Sequence, residues 1–168
     1  MEKSVAIIAL GANLGDREHT LREALVRLES EGMRLLAVSD FIETEPVGYT
    51  DQPDFMNGVA ALEIPKNVSP ETLLDLLLKT ETALGRERPF ANAPRTCDLD
   101  LLFFENESRN SKFLALPHPR WRERTFVLLP MKDLFEKALG ENATWISRDP
   151  WKNLRTLTLD LLENLQRN

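Results

Sequence analysis

Ser4-Val5-Ala6-Ile7-Ile8-Ala9-Leu10 is a short, almost continuous apolar run, and Gly11-Ala12-Asn13-Leu14-Gly15-Asp16 follows it directly. The run reads as a buried strand. The second segment is turn-rich and ends on Asp16, a good helix N-cap. Leu21, Ala24, Leu25 and Leu28 come next at helical spacing, and Gly32 suits the position just past a helix end. Strand, tight turn and helix therefore open the chain. Residues 11–16 fit neither GxGxxG nor GxxxxGK[ST] and contain no lysine, so they read as a structural turn rather than a phosphate loop.

Outward from this unit, Met33 to Thr44 predicts a second strand that stops at Glu45-Pro46, because proline cannot continue a ladder. Residues 47–54 carry Gly48 and Pro53 and read as a loop. Phe55 to Ile64 is β-leaning, with Gly58 as its weak point. Ser69 caps the next helix, Pro70 takes its first position, and Leu73, Leu74, Leu77 and Leu78 form its apolar face up to Gly85. Arg86 to Arg95 has two prolines and no periodicity and reads as an arginine-rich loop. Asp98 to Phe104 is a strand, Thr125 to Phe135 a short helix interrupted near Pro130, and Leu154 to Leu165 a last helix packing back on the rest. The order is β-α-β-β-α-β with additions. This predicts an α+β fold with a ferredoxin-like core, a mainly antiparallel sheet, and extra strands and helices in an α/β/α layering.

The 168 residues fit a single domain spanning 1–168. Their 42% hydrophobic and 29% charged content is that of a globular chain rather than a disordered one. No apolar run reaches the roughly 20 residues of a membrane span, and the N-terminus lacks the pattern of a secretion signal, so a cytoplasmic location is expected. The single cysteine, Cys97, excludes an internal disulfide framework and any multi-cysteine metal site. A net charge of −6 argues against a nucleic-acid binder.

The sharpest chemical feature is Asp98-Leu99-Asp100. Carboxylates two apart on a strand share a face, about 6.6 Å apart along it. Together they can hold a hard cation such as Mg²⁺, although a solvated strand start explains a bare DxD equally well. The surrounding arginines shift that balance. Arg86, Arg88 and Arg95 precede the pair, and Arg120, Arg122 and Arg124 follow His118. Two basic loops beside an acidic pair in an acidic chain suggest a polyphosphate–Mg²⁺ ligand, in which arginines neutralise charge that shifts during transfer. His118, between two prolines, could donate to a phosphate oxygen or only cap a turn. His19, inside the first helix, is given no role. Phe55 and Phe126 are as aromatics more often core than site, but paired rings could sandwich a flat heterocycle, with Asn57 supplying donor and acceptor atoms.

Four segments in order carry a resemblance: Leu10-Gly11-Ala12-Asn13-Leu14-Gly15-Asp16; Glu43-Thr44-Glu45-Pro46-Val47-Gly48 running to Gln52-Pro53-Asp54-Phe55-Met56-Asn57; Gly85-Arg86-Glu87-Arg88 running to Pro94-Arg95-Thr96-Cys97-Asp98-Leu99-Asp100; and Pro117-His118-Pro119-Arg120 with Arg124-Thr125-Phe126. From about Ala6 to Met131 the chain resembles the 6-hydroxymethyl-7,8-dihydropterin pyrophosphokinase family of folate biosynthesis. The resemblance implies transfer of the β,γ-pyrophosphoryl group of ATP to the pterin hydroxymethyl group, with AMP released. It implies that Asp98 and Asp100 bind two Mg²⁺ ions, and that Arg86 and Arg95 lie on a loop closing over the nucleotide. Arg88, His118 and Arg124 would contact phosphates. Phe55 and Phe126 would stack on the pterin, and Thr44, Val47 and Asn57 would bond its edge. Glu81 matches a glutamate anchoring the arginine loop.

The chain departs from the family at Pro89-Phe90-Ala91-Asn92-Ala93, which lacks the basic residue and tryptophan commonly found there and is one residue shorter. Slower turnover is the expectation, and an Asn92→Trp variant with no faster single-turnover rate would contradict it. A non-catalytic pterin- or nucleotide-binding relative, an RRM-like nucleic-acid binder and another DxD-dependent transferase are the competing readings. The RRM-like binder would need an aromatic-basic motif on a central strand, which is absent. A DxD transferase leaves residues 52–55 and His118 unexplained. The resemblance implies ATP and the pterin as partners; 168 residues leave no room for a second folate enzyme, so a monofunctional, monomeric enzyme is expected.

Overall fold

A computed structural model describes residues 3–46, 48–85 and 97–167 of the chain. Its main sheet contains β1 (Ser4–Ala12), β2 (Arg34–Val38), β3 (Ile42–Thr44), β4 (Phe55–Ile64) and β5 (Asp98–Phe104). The spatial order is β2-β4-β1-β5, every described pairing is antiparallel, and β3 also pairs with β4. Helices α1 (Arg17–Ser30) and α2 (Pro70–Ala83) bury Leu21, Ala24, Leu28, Leu73 and Leu77 against Ala6, Ile8 and Leu10. A small hairpin, β6 (Arg109–Asn110) and β7 (Ala115–Leu116), leads towards α3 (Thr125–Gly140) and α4 (Trp151–Arg167). These last helices bury Val127, Met131, Leu134, Trp151 and Leu162 with Ile7, Val59 and Leu102. Two apolar clusters thus lie on alternate residues of β1, which is why that strand reads as an unbroken apolar run. At about 1.5–3 kcal/mol per fully buried large aliphatic side chain, these clusters are the main favourable contribution to the fold.

Several boundaries differ from the sequence expectation. β1 continues two residues further, taking Gly11 and Ala12 out of the expected turn, because Gly11 pairs with Asn57 on one side and Asp98 on the other. Asp16 caps α1 as expected, its carboxylate accepting from the His19 amide at 3.2 Å.

The expected strand from Met33 to Thr44 is two strands on one edge of β4. Between them Ser39 replaces the ladder, its hydroxyl accepting from the Val59 amide at 2.9 Å while its own N–H donates to the Val59 carbonyl. Asp40 N–H turns outward to the Asp133 carboxylate of α3. Gly58 does not interrupt β4, because the Phe41 ring covers it and a Cβ there would lie 2.5 Å from Phe41 Cδ1.

The helix after Arg124 is not broken at Pro130. Only one helical bond is forfeited there, and burial of Met131, Leu134, Phe135 and Ala138 carries the helix on to Gly140. The last helix is longer than its leucine spacing suggested, starting at buried Trp151. Leu78 was expected in the core face of α2 but is 46% exposed.

Candidate active site

Asp98 and Asp100 open β5 on one face, and Leu99 between them points into the opposite core at 3% exposure. The start of β5 is fixed from behind, where Glu81 of α2, 1% exposed, accepts the Leu99 amide at 2.8 Å. Across the sheet the register sets Asn57, Gly11 and Asp98 in one row. Glycine is required in the middle, because a Cβ on Gly11 would approach Asn57 Oδ1 to 2.9 Å. The floor of the site is therefore bare backbone between an amide and a carboxylate.

Asn57 is 8% exposed and its Nδ2 donates to the Thr44 hydroxyl, which fixes the orientation of the amide. Thr44 and Phe55 are register partners at the junction of β3 and β4. The loop before Phe55 is held by the β1–α1 turn. Asn13, 1% exposed, donates from Nδ2 to Gln52 Oε1 at 2.7 Å and to the Pro53 carbonyl at 3.0 Å.

The opposite wall is the segment entering α3. His118 donates its amide to the Leu102 carbonyl of β5 at 2.9 Å, and its Nδ1 accepts from the Arg120 amide at 3.2 Å. The neutral ring therefore carries its proton on Nε2. Burial pushes the His118 pKa below the usual imidazole value, and the nearby Arg124 and Arg120 charges push the same way, opposed by Asp98. Arg124 Nη1 stands 3.8 Å from Asp100 Oδ2, and its guanidinium carbon lies 5.5 Å from the centre of the Phe126 ring.

Thr44, Phe55, Asn57, Asp98, Asp100, His118, Arg124 and Phe126 line one cavity of about 710 Å³. Those eight are every described residue to which the resemblance gave a contact with substrate or metal. Of the other two arginines of the basic loop, Arg120 lines the cavity as well, whereas Arg122 does not line it and lies over the Trp121 ring. Val47, Arg86, Arg88 and Arg95, and the departure at 89–93, lie outside the described residues.

The cavity also takes in Gly11, Glu45, Leu74, Leu78, Glu123 and Thr125, to which the sequence analysis gave no site role. Glu81 lines it too. The sequence analysis named Glu81 only as matching a family glutamate, and its place on the apolar stripe of α2, four residues after Leu77, is the local signal that could have found it. Gly11 left no such trace, since only strand register brings it between Asn57 and Asp98. His19 is exposed on α1.

Among the described residues no third His, Cys, Asp or Glu joins the aspartates in a metal-ligand group. Two carboxylates on one face fit Mg²⁺, which keeps waters and takes substrate phosphates as further ligands. A closed structural metal site would need more protein donors.

Residues 7–136 match the family model described as 7,8-dihydro-6-hydroxymethylpterin-pyrophosphokinase. The chain is 43% identical over 139 residues to the 2-amino-4-hydroxy-6-hydroxymethyldihydropteridine pyrophosphokinase of Bacillus subtilis, covering 82% of each. It is 41% identical over 128 residues to the Pseudomonas aeruginosa protein of the same name, covering 76% of this chain and 78% of that one. The mitochondrial folate synthesis bifunctional protein of Pisum sativum is 37% identical over 143 residues, which cover 84% of this chain but 27% of that protein. The crystal structure of wild-type Plasmodium falciparum HPPK-DHPS shares the fold, with a TM-score of 0.58 at 14% identity over 79% of this chain and 41% of that one. On the family match and the two bacterial relatives, the chain belongs to the 7,8-dihydro-6-hydroxymethylpterin-pyrophosphokinase family.

Proposed function

We propose that the 710 Å³ cavity is where this protein performs the family's reaction. The protein is a pterin pyrophosphokinase of folate biosynthesis. The pterin hydroxymethyl oxygen attacks the β-phosphorus of ATP, the bond from that phosphorus to the α-phosphate oxygen breaks, and AMP leaves. The hydroxyl proton passes to solvent. The observation that carries this reading is the meeting, in one cavity, of a carboxylate pair on β5, a cationic wall before α3, and an amide–hydroxyl pair beside two phenylalanines.

In this reading Asp98 and Asp100 hold the metal–nucleotide through two Mg²⁺ ions. Mg²⁺ held by these two carboxylates would supply positive charge that offsets the charge of the transferring group. Arg124 and the Nε2–H of His118 donate to phosphate oxygens, and Arg86, Arg88 and Arg95 complete the cationic side. Phe55 and Phe126 clamp the pterin faces, while Thr44, Val47 and Asn57 bond its edge. Positioning and charge suffice for a primary alcohol attacking phosphorus, so no side chain is assigned as general base.

The same reading takes residues 1–168 as one ferredoxin-like, monomeric, cytoplasmic domain. The described order β2-β4-β1-β5 and two-sided helix cover support the ferredoxin-like part of that reading. Among the described residues no helix is long and apolar enough to cross a membrane.

The test is incubation with Mg²⁺, ATP and 6-hydroxymethyl-7,8-dihydropterin, followed by separation of the nucleotides. AMP formed only with the pterin, and no ADP, is the expected result. Binding of both ligands with no AMP would reduce the protein to a non-catalytic relative.

A further inference from the structure

We infer that Arg17 is a positioning residue for the heterocycle end of the cavity, setting Thr44 and Phe55 in place from outside it. This inference rests on the pterin reading above.

Arg17 is the first residue of α1, where a cation opposes the helix dipole, so its presence there needs another reason. Its guanidinium supplies that reason. Nη1 donates to the Asp54 carbonyl at 2.9 Å, and Nη2 donates to the Glu43 carboxylate. Glu43 immediately precedes Thr44, and Asp54 immediately precedes Phe55. One planar fork therefore ties together both ends of the loop that leaves β3 and returns to β4.

The tie matters because β3 is only three residues long and pairs only with β4 among the described strands. Its last rung is Thr44–Phe55 itself. A three-residue edge ladder frays easily at its terminal rung, and that rung carries two of the groups assigned to the pterin. Arg17 is 25% exposed at its side chain, well placed to act in a partly desolvated setting. A lysine has one point charge and cannot reach both acceptors in the same geometry.

The experiment measures equilibrium binding of the dihydropterin and, separately, of a nonhydrolysable ATP analogue with Mg²⁺. The proteins compared are the parent, Arg17→Lys, Arg17→Ala, Glu43→Gln and the Arg17→Ala/Glu43→Gln double variant. The expected result is about tenfold weaker pterin binding for both Arg17 variants, unchanged analogue binding, and a double variant no worse than Arg17→Ala alone. A matching rise in KM for pterin but not for ATP should accompany it. A parent that fails to bind the pterin overturns the pterin reading and this inference together. A parent that binds it, with Arg17 variants that bind it equally well or that lose both ligands alike, overturns the positioning role alone. Glu43→Gln retains the acceptor and is expected to keep parental folding, so a loss of pterin affinity there cannot be ascribed to unfolding.

Discussion

Arg124 Nη1 stands 3.8 Å from Asp100 Oδ2, close enough for charge attraction and too far for a hydrogen bond. The guanidinium is thus placed beside the carboxylate without being locked to it, as suits a group that must turn to phosphate when nucleotide arrives. Arg124→Ala should lower kcat/KM for ATP by about 10²–10³ while changing stability by less than about 1 kcal/mol. Steady-state kinetics beside a urea melt would check both parts, and a large stability loss would make Arg124 a structural residue.

Asp98→Asn and Asp100→Asn should each reduce pterin-dependent AMP formation by roughly 10³ or more, since each keeps its shape and loses its charge. Chelation of Mg²⁺ should abolish AMP formation in the parent and restore it on readdition. Parental activity in either variant would remove the pair from the metal site.

Gly11→Ala tests the floor. The new Cβ would lie 2.9 Å from Asn57 Oδ1, so the amide must move away from its Thr44 bond. KM for the pterin should rise by about tenfold, with kcat and KM for ATP little changed. Equal effects on both substrates would mean that the strand itself had shifted.

His118 gives the pH dependence. Its folded pKa lies below the ordinary imidazole value, chiefly through burial, so unfolding takes up a proton in the window between the two. The contribution to stability is complete above the unfolded value of about 6.5 and is lost as pH falls through the folded one. The urea midpoint should therefore decline below about pH 6.5, and decline less in His118→Gln. Identical pH profiles for the two proteins would contradict the assignment.

Ser39→Ala should cost about 1–3 kcal/mol, because the Val59 amide loses the hydroxyl that satisfies it at a buried position. Chemical denaturation would measure it. A loss below a few tenths would show that water or a shifted ladder replaces the bond.

The sequence by itself determined a good deal about this protein, wherever periodicity or punctuation was strong. The apolar run of β1, the Asp16 and Ser69 caps and the ten residues of β4 are local signals, and the structure keeps them. Acidic spacing and clustered arginines also marked Asp98, Asp100, His118 and Arg124 as one chemical neighbourhood. Only the tertiary structure decided what depended on partners distant in the chain. Ser39 and Phe41 split a strand because β4 and α3 offer side-chain and ring contacts that no local pattern encodes. Gly11 became the floor of the site through strand register alone. Arg17, to which the sequence analysis gave no role, reaches Glu43 and Asp54 because packing brings the start of α1 beside the loop entering β4. Local propensity sets which elements form, whereas contacts between distant residues are set by how those elements pack, and the cavity is made of the latter.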